Sequence, residues 1–375
     1  MSLFLYGTLR HPPLLELVAG ERLVARPAVL PGHRVTVQDG SDLPHLNPRP
    51  HAEAEGLLIA PGQGPRARLD AYELPFDYEA RPVTVLVDGA EVAAEAYFPA
   101  PGIAFTDRLW LIEDWLARDG ALTMETAREY DQMMRLRGPG HPLGNFALMR
   151  HRAWVRLQAP RDPAPAERRH APGPGDVRVS EPRAMAGSFF RLTEHEVRHR
   201  TFSGGESGPL LREAFNGVDA ALVLPWDPAS DSVLLIEQMR TGPLVRGAPN
   251  PWILEPVAGI IDAGESPEEA ARRETWEEAG LEAVALTRMF AFYPSPGASS
   301  EYFHCFAARA DLSGRDQRRG GLASENEDLR AHVLPLSEAL DLIGTGEIDA
   351  GPLIAMLYWL ERNRARLLEF GTDGS

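Results

Sequence analysis

The chain has 375 residues, 44% of them hydrophobic, with 54 acidic against 38 basic side chains and a formal net charge of −16. That length favours two domains, and that charge argues against a broad electrostatic footprint on nucleic acid or an anionic membrane. All 38 basic residues are arginine, which excludes a Schiff-base lysine and a lysine-bearing phosphate loop, and the single Cys305 excludes an intramolecular disulfide or a cysteine-rich zinc site.

In chain order, "MSLFLYGTLRHPP" has no basic leader and too short an apolar run for a secretory signal, and no later run is long enough to span a bilayer. A soluble, cytoplasmic chain without membrane partners is expected. Short runs then read as strands: "LFLYGTL", "HRVTVQD", "AEGLLIAP", "RPVTVLVDG" and "EVAAEAYF". In "TDRLWLIEDWLARDG", Leu109, Ile112 and Leu116 recur at helical spacing behind a Thr106/Asp107 cap, which predicts a helix. The stretch "APRDPAPAERRHAPGPGD", residues 159–176, holds five prolines and no aliphatic side chain larger than alanine, so it reads as an extended spacer that buries no core. It sets the expected domains at 1–158 and 177–375. Beyond it, "GSFFRLTEHEVRHR" carries Phe189 and Phe190, and strand alternation there predicts that one of the two faces inward. "AALVLPW", "SVLLIEQ" and "WILEPVAG" read as strands, as do "YFHCFAARA" and "RAHVLPL", and "GPLIAMLYWLERNRARLLEF" reads as a closing helix.

One segment, "AGESPEEAARRETWEEAGL", gathers six glutamates between Glu265 and Glu278. Ser266-Pro267-Glu268-Glu269 supplies an N-cap, a proline at the first helical position and a glutamate placed for a capping box, and Gly280 supplies a left-handed stop. The expected helix runs from about Pro267 to Ala279. Glu274 and Glu278 lie four apart on one face, with Glu277 beside them, and like charges so placed repel. A hard divalent cation, Mg²⁺ or Mn²⁺, reverses that sign and keeps open positions for phosphate oxygens.

Gly259, five residues, Glu265, seven residues, Arg273-Glu274, two residues, Glu277-Glu278, one residue, Gly280-Leu281 resembles the Nudix box. The position after Arg273-Glu274 is usually aliphatic in that family and is Thr275 here. The resemblance implies an α/β/α sandwich with a mixed sheet. Its metal ligands would be Glu274, Glu278 and the backbone carbonyl of Ala258, with Glu265 and Glu277 completing the site and Arg273 orienting the glutamates. Pro296, sixteen residues past Gly280, "VLLIEQMR" ending at Arg240, and "GLASENEDLRAHVLP" resemble the ADP-ribose pyrophosphatase subgroup, over about residues 177–370. That likeness implies Mg²⁺-dependent hydrolysis of ADP-ribose to AMP and ribose 5-phosphate. It also implies Glu325 as catalytic base, Arg240 as a phosphate clamp, an aromatic from Phe189/Phe190 against adenine, and a homodimer formed through this domain.

"FLYGTLR", "LPHLNP", "AEGLLIAP" and "RLDAYELPFDYEARPVTVLV" resemble the gamma-glutamylcyclotransferase (AIG2-like) fold, a barrel-containing α+β domain. The resemblance implies that the turn Tyr6, Gly7, Thr8, Leu9 offers backbone amides to a substrate carboxylate and that Glu73 shuttles the proton. Leu74 departs from the glycine usual after that glutamate. Three alternatives stay open: another nucleoside diphosphate sugar as substrate, gamma-glutamyl cyclisation as the main activity, or a sensor that binds either ligand without turnover.

Overall fold

The computed structural model describes residues 1–139, 146–163, 165–187, 189–282, 285–321 and 327–369. The chain forms two compact units, Met1–Glu213 and Ala214–Ser375.

The first unit is built on a closed barrel. Strands β1 (Leu3–Leu5), β2 (Ala25–Gln38), β3 (Pro44–Ile59), β4 (Tyr78–Val87) and β5 (Ala90–Pro99) run in the order β3-β1-β5-β4-β2, and β2 pairs again with β3. The pair β1–β5 is parallel and the others are antiparallel. Closure leaves no free barrel edge, and Leu3, Phe4, Leu5, Leu30, Leu46, Leu58, Val85 and Ala96 are part of the buried core that the barrel shares with its helices. Strand β6 (Phe105–Leu109) adds to β2, and helices α1 (Pro12–Ala19), α2 (Gln63–Glu73), α3 (Ile112–Arg137) and α4 (Phe146–Gln158) complete the core.

The helix expected behind Thr106/Asp107 begins later. Residues 105–109 are strand β6, the Thr106 hydroxyl donates to the Val37 carbonyl across the sheet, and α3 starts at Ile112 with Leu111 as its N-cap. The apolar repeat misled because Leu109 and Leu116 stay exposed, while Trp110 and Trp115 are buried.

Four further strands, β7 (Val177–Val179), β8 (Arg183–Ala186), β9 (Arg191–His199) and β10 (Leu210–Asn216), follow the proline-rich stretch and form an antiparallel ribbon in which β7 and β8 pair with β9. By contacts, residues 177–213 group with the first compact unit, which ends at Glu213. The cause is ionic. Buried Glu129 of α3 accepts from Arg152 Nε at 2.8 Å and Nη2 at 2.6 Å, and Arg191 Nη1 of β9 lies 3.2 Å from the same carboxylate. Burial alone raises the Glu129 carboxyl, but Arg152, Arg191 and Arg156 hold it below the ordinary carboxylate range. Phe189 and Phe190 precede β9 in a bend, and both are exposed, at 52% and 48%. The expected inward-facing member of the pair is therefore absent: neither residue is on a strand, and their rings pack on each other edge to face at 5.0 Å.

The second unit is a three-layer sandwich. Its sheet has strands β11 (Ala220–Asp227), β12 (Ser232–Met239), β13 (Trp252–Glu255), β14 (Val257–Ile260), β15 (Ala285–Phe292), β16 (Phe303–Arg309), β17 (Arg319–Gly320) and β18 (Leu329–Pro335). The order is β15-β16-β11-β12-β18-β17, with β13 on β12 and β14 on β11. The sheet is mixed, since β11–β16 is parallel amid antiparallel pairs. "WILEPVAG" makes two strands, not one, because Pro256 offers no N–H to a ladder. The helices are α5 (Thr241–Arg246), α6 (Pro267–Ala279), α7 (Leu336–Thr345) and α8 (Gly351–Glu369). Strand alternation divides the core: Ala221, Val223, Leu234 and Ile236 pack with Ala270 and Ala271 of α6, whereas Leu222, Leu224, Val233 and Leu235 pack with Leu336 of α7 and Leu353, Met356 and Leu360 of α8. Among the described residues no helix is long and apolar enough to cross a membrane.

Candidate functional site

Helix α6 occupies the span its sequence predicts. Ser266 accepts from the Glu269 amide while the Glu269 carboxylate receives the Ser266 amide at 2.8 Å, a complete capping box, and Gly280 ends the helix at φ 62°. Its inner face packs tightly on β14. A Cβ on Gly259 would lie 1.8 Å from the Glu274 carboxyl, so only glycine leaves room for that side chain. Thr275 is fully buried, its hydroxyl donating to the Ala271 carbonyl at 2.6 Å, which satisfies the polar atom at a position usually aliphatic.

Arg273 organises the carboxylates. Its Nε and Nη2 donate to Glu265 at 3.0 and 2.9 Å, Nη1 donates to Glu274 at 2.5 Å and to Glu277 at 3.2 Å, and Nη2 also reaches the Ile260 carbonyl at 2.9 Å. Glu265, Glu274 and Glu277 thus meet on one guanidinium. Glu278 lies beyond its reach, 4% exposed, and accepts the Ala258 amide at 3.1 Å. Burial is the main cause that pushes Glu278 up to about 8, with Glu274 and Glu327 adding repulsion. Burial likewise pushes Glu274 up to about 7 against the pull of Arg273, and Glu277 and Glu327 add to the rise. Arg240, at the end of β12, donates from Nε to Glu255 at 2.6 Å and lowers Glu278 by its charge.

This arrangement fits a cation. The donors are all hard oxygen, and half-buried Glu274, which shares Arg273 with Glu265 and Glu277, acts on buried Glu278. Among the described residues no three acidic, histidine or cysteine side chains converge as a ready ligand set, so water and phosphate oxygens would complete the shell around Glu274 and Glu278. Pro296 is exposed in a turn whose loop is tied to Phe215 by two backbone bonds of 2.8 and 2.9 Å. Phe189 and Phe190 belong to the other unit. Glu325 lies outside the described residues. The sequence reading assigned no role to Glu327, which is half-buried and acts on both Glu274 and Glu278. The only sequence signal was its place two residues after Glu325 in "ASENED", and spacing alone does not choose between the two.

In the first unit, Tyr6, Gly7, Thr8, Leu9 and Glu73 line one cavity of about 350 Å³, walled also by Tyr72, Tyr78, Tyr97, Trp115 and Phe146. Gly7 is fixed by close approach, because a Cβ there would meet Pro44 Cγ at 2.6 Å. The tyrosine hydroxyls are anchored outward: Tyr6 donates to the Tyr97 carbonyl at 2.7 Å, Tyr97 to Asp70 at 2.8 Å and Tyr78 to the Pro44 carbonyl at 2.6 Å. Burial, with the charge of Asp70, pushes the Glu73 carboxyl up to about 8. Leu74 follows in ordinary right-handed conformation (φ −54°, ψ −43°) and points to solvent, so its replacing a glycine imposes no strain on Glu73.

The sandwich and its carboxylate helix define the second unit as a Nudix domain, and the family model described as "NUDIX domain" matches residues 217–357. A second model, "Gamma-glutamyl cyclotransferase, AIG2-like", matches residues 3–117. The chain is 37% identical over 196 residues to the ADP-ribose pyrophosphatase of Haemophilus influenzae, covering 51% of this chain and 89% of that protein. It is 38% identical over 195 residues to the ADP-ribose pyrophosphatase of Escherichia coli K12, covering 52% and 92%. To the GDP-mannose pyrophosphatase of Escherichia coli O1:K1 it is 32% identical over 186 residues, covering 49% and 95%. The chain belongs to the Nudix hydrolase family, with an AIG2-like domain ahead of its Nudix domain.

Proposed function

We propose that the Nudix domain hydrolyses the diphosphate of ADP-ribose, or of a related nucleoside diphosphate sugar, to AMP and ribose 5-phosphate with Mg²⁺, for which Mn²⁺ substitutes. The observation that carries this reading is half-buried Glu274 acting on buried Glu278, while Arg273 is shared among Glu265, Glu274 and Glu277. The ADP-ribose pyrophosphatases are more similar to this chain than the GDP-mannose pyrophosphatase, which favours ADP-ribose. Glu274, Glu278 and the Ala258 carbonyl would hold the cation, with Glu265 and Glu277 around them. When bound, it neutralises phosphate charge and lowers the pKa of water. Arg273 keeps the glutamates in register, and Arg240 exchanges its bond to Glu255 for a phosphate oxygen. The base in our reading is Glu325. Pro296 contacts the nucleoside half.

The AMP released from ADP-ribose with Mg²⁺, wild type beside Glu278→Gln, tests the reading. Cleavage of other nucleoside diphosphates alone keeps the metal face and removes ADP-ribose; no cleavage at all removes hydrolysis and favours a ligand sensor. We further propose residues 177–375 as the Nudix segment by descent, because the 196-residue match exceeds the length of Ala214–Ser375, with 1–158 as the AIG2-like segment and 159–176 as the linker. The proposed assembly is a cytoplasmic homodimer through the Nudix domain, and light scattering at the mass of one 41.2 kDa chain refutes it.

A second reading is favoured by the cavity of the first unit. Glu73 keeps a proton at neutral pH among apolar neighbours, as an acid/base for gamma-glutamyl cyclisation requires.

A further inference from the structure

Strands β2 and β3 continue past the irregularity at Pro31/His33 as a hairpin that pairs Thr36 with His45 and Arg34 with Asn47. Pro44 lines the cavity of this unit, and strand alternation turns His45 and Asn47 to the opposite side of β3. Directly opposed side chains stand about 5 Å apart and successive pairs on one face roughly 7 Å, so these four residues form one patch. Its polarity is at odds with its burial. Thr36, His45 and Asn47 are 0%, 8% and 2% exposed, yet Thr36 Oγ1, His45 Nδ1, Asn47 Nδ2 and Arg34 Nε have no hydrogen-bond partner among the described residues. The amide and the guanidinium nitrogen only donate, and the hydroxyl and the imidazole can donate as well. Burial lowers the imidazole from its ordinary value, so it is uncharged at neutral pH and carries one ring N–H. Four buried groups able to donate are costly to keep until something accepts from them. Strand β6 supplies part of the cover over the patch. The Phe105 ring, 43% exposed, lies 4.9 Å from the His45 ring, and exposed Asp107 lies 3.9 Å from Arg34 Nη2 and also pairs with Arg49. Two guanidiniums against one carboxylate leave a positive charge in excess at the rim.

We propose that the patch of Arg34, Thr36, His45 and Asn47 is an anion-binding site that takes a small tetrahedral oxyanion of the size of inorganic phosphate. Donors spread over two neighbouring cross-strand pairs meet a tetrahedral anion, whose oxygens point in four directions, better than a planar carboxylate with two. Arg34 supplies charge as well as its Nε–H, Asn47 and Thr36 add neutral donors, and His45 takes the tautomer with hydrogen on Nδ1. Entry requires the Phe105 ring to turn aside, a side-chain rotation at the surface. Asp107 is the competitor, since its carboxylate draws on the same Arg34 and on Arg49. The site is independent of both catalytic readings, because none of its four residues lines the cavity of Glu73 or belongs to the carboxylate helix.

Calorimetric titration of the full chain with inorganic phosphate, and with acetate for comparison, tests the site. Histidine-ring NMR follows the same titration, with His45→Gln to identify the signal. Wild type should bind phosphate saturably, prefer it to acetate, and show the His45 signal moving with occupancy. Thr36→Val/Asn47→Leu should weaken phosphate binding about 10-fold or more, whereas Asp107→Asn, which removes the competitor, should strengthen it roughly 3- to 10-fold. If the double variant does not fold, Arg34→Gln, whose side chain is part-exposed, takes its place with the same expectation. Phosphate that binds while the His45 signal stays still and the variants change nothing lies elsewhere on the chain, and the proposal falls. It falls equally if wild type binds no phosphate, because ordered water then satisfies the four groups. Acetate bound as well as phosphate overturns the class of ligand.

Discussion

Each unit keeps a carboxyl whose proton is held to about pH 8 mainly by burial, Glu73 in the barrel unit and Glu278 in the sandwich. Their neighbours differ. Glu73 lines a cavity walled largely by tyrosines and apolar side chains, and the charge of Asp70 adds to its rise. Glu278 stands with Glu274 and Glu327, and an arginine ties the adjoining glutamates together. A lone raised carboxyl is suited to carrying a proton, whereas a repelling group of them is suited to losing protons to a cation. The same shift therefore has two chemical meanings, and the neighbours decide which applies.

The largest expected effect separates the two units outright. Glu278→Gln should lower AMP release from ADP-ribose on the order of 10³-fold, as loss of a metal ligand does, while 5-oxoproline release is unchanged. Parallel loss of both activities breaks the comparison. The reciprocal change, Glu73→Gln, should lower 5-oxoproline release by about 10²-fold or more and spare AMP release, assayed on the same preparation. Gly259→Ala comes next: the added methyl displaces Glu274 and should cut AMP release by roughly 10- to 100-fold, with little rise in the KM for ADP-ribose.

Two thermal measurements sharpen the contrast. Glu278 at about 8 and Glu274 at about 7 must shed protons to bind a cation, so stabilisation by Mg²⁺ should grow as pH rises from 6 to 8.5 and vanish in the Glu274→Gln/Glu278→Gln double variant. The smallest effect concerns Glu73. Its folded value of about 8 exceeds the ordinary 4.5, so the folded chain binds the extra proton between them and stability falls as pH rises across that window. Glu73→Gln removes this dependence, and its melting temperature should exceed that of wild type at pH 8 and match it at pH 4. A constant difference across that range argues against a buried, protonated Glu73.

What the sequence by itself determined was local chemistry. The cap at Ser266, the stop at Gly280 and the face shared by Glu274 and Glu278 follow from spacing along one helix, because a helix fixes which side chains are neighbours. The turn Tyr6–Leu9 was legible only through the resemblance to the AIG2-like family. Only the tertiary structure decided the rest, since it depends on residues distant along the chain. It started α3 after a strand, because Thr106 finds the Val37 carbonyl, and it drew 177–213 to the first unit through Arg191 and Glu129. It also set Glu327 to act on Glu274 and Glu278. A pattern of residue types carries periodicity and local capping, but long-range ion pairs and close approaches exist only once the chain has folded.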